Sequence, residues 1–277
     1  MLAAASAFTL TTPATLSGLS YAFDLDAEAL FDEMSDEGVP ASLANRLRYQ
    51  TFIAQLKDTV LSNLWSTADC ILVPAVHAEA AAAINWKNPS GSKIVLSAPA
   101  PTFTPYRGWL TDGTTRATLP FNPTAGVNFT QNSNRGCVWL MTNLGVSSIL
   151  GWFDGTDGWT MAPRLSTDQI GFRAAQASQS TTAGGGVTNG TGLTSTHRTA
   201  SNATNVAKNG IAVSVTGNAN QTSTTLNNHD FLLGAITDGA GSACEAAIIM
   251  FGAALTSAQQ RENEFLVCDA FITGLPA

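Results

Sequence analysis

The chain has 277 residues, of which 44% are hydrophobic and only 12% charged, and its formal net charge is −7. That length fits one large all-β domain with an appendage or two small domains. Residues 1–58 hold eight acids and three bases and residues 59–277 twelve and ten, so no Lys/Arg cluster follows a phosphate backbone and nucleic-acid binding is not expected.

Residues 1–22 are small, apolar and Thr-rich, with Pro13 and Gly18. A signal peptide is rejected, because no basic segment precedes the apolar one and Thr and Pro interrupt it. No run of eighteen apolar residues occurs, so no transmembrane helix and no membrane partner is expected. Leu25, Ala29, Leu30, Phe31 and Met34 give 24–37 a helical stripe. This stretch carries seven acids and no base, and Gly38 ends it. A second helix is predicted over 41–64, with Pro40 before its first turn and Leu43, Leu47, Ile53, Leu56, Val60 and Leu64 at helical spacing. A short Ala-rich helical piece follows over 77–85.

Residues 1–66 are therefore read as an extended and helical docking arm. Phe8, Leu16, Tyr21 and Phe23 are its apolar contacts, since leaving such side chains in water forgoes about 1.5–3 kcal/mol each. The acids of 24–37 would face a basic patch on a partner or a neighbouring subunit's Arg46 and Arg48. The alternative is that the arm wraps its own sandwich.

After Trp86 the texture becomes short β-branched or aromatic segments separated by turns. Strands are predicted at 93–96, 107–110, 115–119, 136–142, 147–153, 168–173, 193–199, 204–208, 211–215, 230–234 and 244–251. Asn209-Gly210 is the strongest hairpin signal. Ser, Thr, Asn and Gly fill 33 of the 56 positions from 174 to 229, where strands with long polar loops are preferred to a disordered linker. A terminal helix is predicted from an N-cap at Thr256 and a capping box with Gln259, with Phe265, Cys268 and Ile272 inward and Gly274 at its end. Many short strands of this kind make a sandwich or barrel.

Cys70, Cys137, Cys244 and Cys268 contain no CxxC pair, so they read as free, buried thiols rather than metal ligands. His77-Ala78-Glu79 lacks the Pro-Cys-x-x-Cys that a zinc deaminase needs. Neither a metal nor a cofactor is expected. The stretch Asp154-Gly155-Thr156-Asp157-Gly158-Trp159 sets two carboxylates and an indole on a tight loop. Asp154, Asp157 and Trp159 could hold a sugar, with the indole as platform, or the carboxylates could ligate Ca²⁺. The plain alternative is an Asp-Gly turn with the Trp folded into the core.

His197-Arg198-Thr199-Ala200, Val206-Ala207-Lys208-Asn209-Gly210, Phe231-Leu232-Leu233-Gly234-Ala235, Glu245–Phe251 and Thr256-Ser257-Ala258-Gln259 together resemble the laminin-G/concanavalin A-like superfamily. Over 61–277, Leu64-Trp65-Ser66-Thr67-Ala68-Asp69, Asn85-Trp86-Lys87, Pro101-Thr102-Phe103-Thr104, Arg107-Gly108, Asp112-Gly113 and Phe121-Asn122-Pro123 resemble, in that order, phage and prophage minor structural proteins. The resemblance implies a mainly β fold, a two-sheet jelly-roll sandwich over 67–277 with an N-terminal helical arm and a C-terminal helix. It implies a place in the virion, as head decoration, spike or tail-fibre subunit, with capsid, portal, neck or tail proteins as partners and a host surface glycan as a further one. A homo-oligomer, a trimer above all, is expected. The alternatives are a stand-alone carbohydrate-binding module and a glycan-cleaving jelly-roll enzyme. The retaining members of such enzymes carry a Glu-x-Asp-x-Glu strand, which 67–277 lacks, so no catalytic residue is named and the chain is expected not to be an enzyme.

Overall fold

A computed structural model describes residues 23–143, 147–218, 220–237 and 241–276. Phe8, Leu16 and Tyr21 lie outside the described residues. The N-terminal helices are α1 (Leu25–Asp36), α2 (Leu43–Lys57) and α3 (Leu64–Thr67). Asp24 caps α1 through Asp26 N–H and Ser42 caps α2 through Asn45 N–H. The second helix stops at Lys57, short of the predicted 64, because Asp58 turns extended and Asn63 enters the left-handed region.

The chain then runs through β1 (Ala68–Leu72), α4 (Glu79–Ala82), β2 (Val95–Leu96), β3 (Thr102–Thr104), β4 (Gly108–Asp112), β5 (Ala117–Thr118) and β6 (Asn134–Leu140). Next come β7 (Leu150–Phe153), β8 (Gly158–Ala162), β9 (Gly171–Ala174), β10 (Ser180–Thr182), β11 (Gly192–Ala200), β12 (Ala203–Lys208) and β13 (Ile211–Val213). The last elements are β14 (Val215–Gly217), β15 (Leu232–Leu233), β16 (Ala243–Gly252) and α5 (Ala258–Thr273).

Among the described residues the strands form two antiparallel eight-stranded sheets. The first runs β13-β12-β11-β6-β16-β4-β3, with β1 also paired to β16, and the second runs β14-β10-β9-β8-β7-β15-β5-β2. The expected mainly β, two-sheet jelly-roll sandwich is therefore present. Its turns follow local chemistry: Asn209 (φ 49°) and Gly210 (φ 76°) make the two-residue hairpin between β12 and β13 with both central residues left-handed.

The space between the sheets is aromatic at one end. Phe121 stacks on Phe251 with centroids 4.6 Å apart, and Trp159 on Phe231 at 5.4 Å. Gly136 of β6 makes room for that indole, since a Cβ there would lie 2.2 Å from the Trp159 ring. The adjoining space under β9, β10 and β11 is polar. The fully buried Arg198 of β11 donates across to Ala174 O of the opposite sheet, to Gln176 Oε1 (2.8 Å), and to Ser201 O (2.7 Å) and Gln221 O (3.0 Å).

Helix α5 covers the outer face of the first sheet. It starts one residue later than expected, with Ser257 and Gln260 as the capping box. Its Phe265 stacks on Trp139 of β6 at 5.9 Å, and its buried Glu264 faces the equally buried Arg135 at 3.4 Å. Burial raises the Glu264 carboxyl above its ordinary value, against the pull of Arg135. Helix α2 packs in turn on α5, with Phe52 4.5 Å from Phe271 and Tyr49 5.4 Å from Trp86. Tyr49 Oη lies 2.9 Å from His77 Nδ1 and the His77 Nε2 lies 3.1 Å from Val39 O, so His77 belongs to this packing.

The described part of the arm, residues 23–66, is thus continuous with the sandwich core. Ala27, Leu30, Phe31 and Met34 of α1 share its buried cluster, and the 66/67 boundary falls inside α3. Four of the seven acids of 24–37 are paired within the chain, Asp24 and Asp26 with Lys57, and Glu33 and Glu37 with Lys93, while Glu28, Asp32 and Asp36 are exposed. Phe23 packs edge-on against Phe31 at 5.1 Å, and Arg46 lies over the same Phe31 ring. Within the described residues the arm packs on its own sandwich through Ala27, Leu30, Phe31 and Met34, while Leu25, Glu28, Ala29, Asp32 and Asp36 face outward.

Candidate functional site

Strands β7 and β8 are joined by the Asp154–Asp157 turn, with Gly155 at φ +101° and open space around it. Asp154 holds the turn together. Its Oδ1 accepts from Thr156 N, Thr156 Oγ1 and Asp157 N, each at 2.8 Å, and its N–H donates to Asp157 O at 3.2 Å. These N–H donors, Asp157 first and Thr156 next, hold the Asp154 carboxyl below its ordinary value. Asp157 is half-buried and gives the turn its backbone N–H and C=O.

Trp159 does not join them. It is 2% exposed, and Phe129, Phe231 and Phe251 surround it. The expected platform at Trp159 is therefore corrected: strand alternation turns its side chain inward, and it offers no face to a sugar. A Ca²⁺ role for the two carboxylates is not favoured either, since Asp154 Oδ1 is saturated by the turn. Among the described residues no group of three His, Cys, Asp or Glu side chains is placed to hold a metal ion. All four cysteines are buried and unpaired.

An aromatic pair does lie beside the turn, formed by Trp152, which reads from the sequence as a core or interface residue, and His229, which reads as an isolated histidine. The half-buried Trp152, Trp159's cross-strand partner, stacks on the exposed His229 with centroids 4.3 Å apart and planes 15° from parallel. Asn227 Nδ2 donates to Asp154 Oδ2 at 2.6 Å. Asn228 Oδ1 accepts from Asn122 Nδ2 at 2.9 Å and from Thr124 Oγ1 at 3.0 Å. These bonds gather three loops, 122–124, 154–157 and 226–230, at one end of the sandwich. The loops are anchored where Phe231 N donates to Phe121 O (3.0 Å) and Phe153 N to Ile236 O (2.8 Å). Next to them Arg173 of β9 lies 3.9 Å from the centre of the Phe153 ring.

The result is a set of polar side chains gathered beside a two-ring stack. The Asn227 carbonyl, the Asn228 amide, the His229 ring nitrogens and the Asp157 carboxylate retain capacity for further hydrogen bonds, and each amide side chain both donates and accepts. A polyol needs such mixed donors and acceptors, and a ring for its C–H face. The signal in the sequence was Asn227-Asn228-His229-Asp230, a polar run ending at an apolar strand. It was not joined to Asp154 because 73 residues separate Asn227 from it.

No protein-family model matches the chain, and no curated protein is similar to it. Solved structures do resemble it. A Trypanosoma rangeli sialidase mutant displaying trans-sialidase activity aligns at TM-score 0.51 and 14% identity, over 80% of this chain and 39% of that one. Trypanosoma rangeli sialidase in complex with 2,3-difluorosialic acid aligns at TM-score 0.50 and 12% identity, over 74% of this chain and 33% of that one. Domain 4 of a Geobacillus stearothermophilus extracellular arabinanase, in complex with arabinotriose, aligns at TM-score 0.41 and 14% identity, over 70% of this chain and 85% of that domain. The chain thus spans between a third and two fifths of the sialidase chains. At such identities the likeness is one of fold. It corrects one expectation. The sandwich is shared with chains that are sialidases, so the missing Glu-x-Asp-x-Glu strand removes the retaining-glucanase pattern and does not make the chain a non-enzyme.

Proposed function

We propose that the protein binds carbohydrate at the end of the sandwich formed by loops 122–124, 154–157 and 226–230. The observation that carries this reading is the exposed His229 ring, backed by Trp152 at 4.3 Å and flanked by Asn227, Asn228 and Asp157. A stacked ring pair fixes the platform, and the surrounding amides and carboxylate orient hydroxyls, in the way small-ligand sites set a few polar groups around an apolar surface. The fold relatives act on sialic acid or hold arabinotriose, so sialylated and arabinan oligosaccharides are the first ligands to test. A glycan array probed with the full chain should return a defined subset of glycans, and that subset should be lost in His229→Ala. An array with no signal above background would count against the reading.

A second reading places the protein in a phage particle, with other virion proteins as partners and a homo-trimer as its form. The order of short motifs over 61–277 supports it. Mass spectrometry of purified particles would test the location, and light scattering the trimer. Absence of the chain from particles would end that reading and leave carbohydrate binding untouched.

A further inference from the structure

Lys208 differs from the other three lysines of the chain. Lys57 pairs with Asp24 and Asp26, and Lys93 with Glu33 and Glu37. Lys87 donates to Trp65 O at 3.0 Å and lies 4.6 Å from the centre of the Trp65 ring. Lys208 ends β12 and faces Thr194 across the β11–β12 pair. Its Nζ donates to Gly190 O at 2.9 Å and to Thr194 Oγ1 at 3.1 Å, and among the described residues it meets no carboxylate. Two acceptors match the two N–H bonds of a neutral amine and leave the lone pair as the free vertex. An ammonium there would have a third N–H without a protein partner.

Lys208 lines an open cavity of ≈ 260 Å³ together with Thr188, Asn189, Thr191, Asn209 and Val213. The walls offer hydroxyls and amides but no charge, which suits a small, neutral, polar molecule. Burial without a counter-ion pushes the Lys208 ammonium down to about 7, the route by which lysines become nucleophiles at neutral pH.

We propose that Lys208 is a covalent acceptor for small polar aldehydes, the open-chain form of a short sugar among them. The amine lone pair attacks the carbonyl carbon, and a C–N bond forms. The nitrogen gives up both protons to the carbonyl oxygen, which leaves as water, and an imine remains. The hydroxyls and amides of the cavity hydrogen-bond the rest of the aldehyde. This reaction is independent of the loop site at the other end of the sandwich.

The test uses the full chain at pH 7 with a limiting amount of glyceraldehyde and with cyanoborohydride, whose hydride converts the imine to a stable secondary amine. Peptide mass spectrometry then compares the four lysines. Lys208 should be alkylated at least about tenfold faster than Lys57, Lys87 or Lys93, and the preference should vanish in concentrated urea, where the cavity is gone. The Lys208 rate should level off by about pH 8, while those of Lys57 and Lys93 keep rising towards pH 10. Equal labelling of the four lysines in the folded chain, or a preference that survives urea, would overturn the proposal.

Discussion

Two adjoining ends of one core, meeting where Ala174 pairs with Trp159, are built from different material. At one end Phe121, Phe129, Trp159, Phe231 and Phe251 form a continuous ring cluster, with centroids between 4.6 and 6.5 Å apart. At the other, Arg198, Gln176, Ser180, Thr194 and Thr196 are equally buried. The first end gains stability from area removed from water. The second must find partners for the polar groups it encloses, and Arg198 supplies the largest share, with donors that reach Ala174, Gln176, Ser201 and Gln221, while the Thr196 hydroxyl is left without one. The contrast teaches that one sandwich can be filled by ring packing in one region and by hydrogen-bonded polar side chains in the next.

Substitutions at the two ends should separate these roles. Trp159→Ala should lower the unfolding free energy by about 3–5 kcal/mol, read by urea titration, because it empties the middle of the ring cluster. Gly136→Ala should act on the same packing from the other sheet, since its methyl would meet the indole at 2.2 Å. Arg198→Met keeps much of the volume but strands the buried Ala174 carbonyl and the Gln176 side-chain oxygen, and should cost about 2–3 kcal/mol. A loss equal to that of Trp159→Ala would erase the distinction between the ends.

Lys208→Met gives a pH-dependent effect whose sign follows from burial. The folded chain releases the Lys208 proton at about 7, whereas the unfolded chain holds it to about 10.4. Between those values the unfolded state binds more protons, so this group makes stability rise with pH, and its full penalty is present below pH 7. The melting temperature of Lys208→Met relative to the parent should therefore be highest at pH 6 to 7 and fall towards pH 10. A difference that does not change with pH would contradict the buried, unpaired amine.

The same contrast explains what could be read from the sequence. Strands β11, β12 and β16 carry apolar or β-branched runs, and the Asn209-Gly210 turn marks its own hairpin, so these elements were legible. Strands β10 (Ser180–Thr182) and β14 (Val215–Gly217) were not. They border the polar end, where Thr and Ser face inward and apolar alternation fails as a signal. Trp159 was set on a turn with Asp154 and Asp157, whereas its burial depends on Gly136 in a strand of the other sheet. The loop site was half legible: the Asp154 turn is local, but its pairing with Asn227 and the Trp152–His229 stack is made by chain closure. The pairing of four acids of 24–37 was not legible because Lys57 and Lys93 are distant in sequence and adjacent only after α1 docks.

Trp152 and His229 lie outside the ring cluster, so changing the exposed His229 should alter stability by less than about 0.5 kcal/mol. That makes binding separable from folding. The most direct measurement is an isothermal titration of the full chain, its His229→Ala variant and its Asn227→Ala variant with the strongest glycan from the array. The parent should bind, and both variants should lose at least about tenfold in affinity while melting within a degree or two of the parent. Unchanged affinity in both variants would contradict a carbohydrate site at this end of the sandwich.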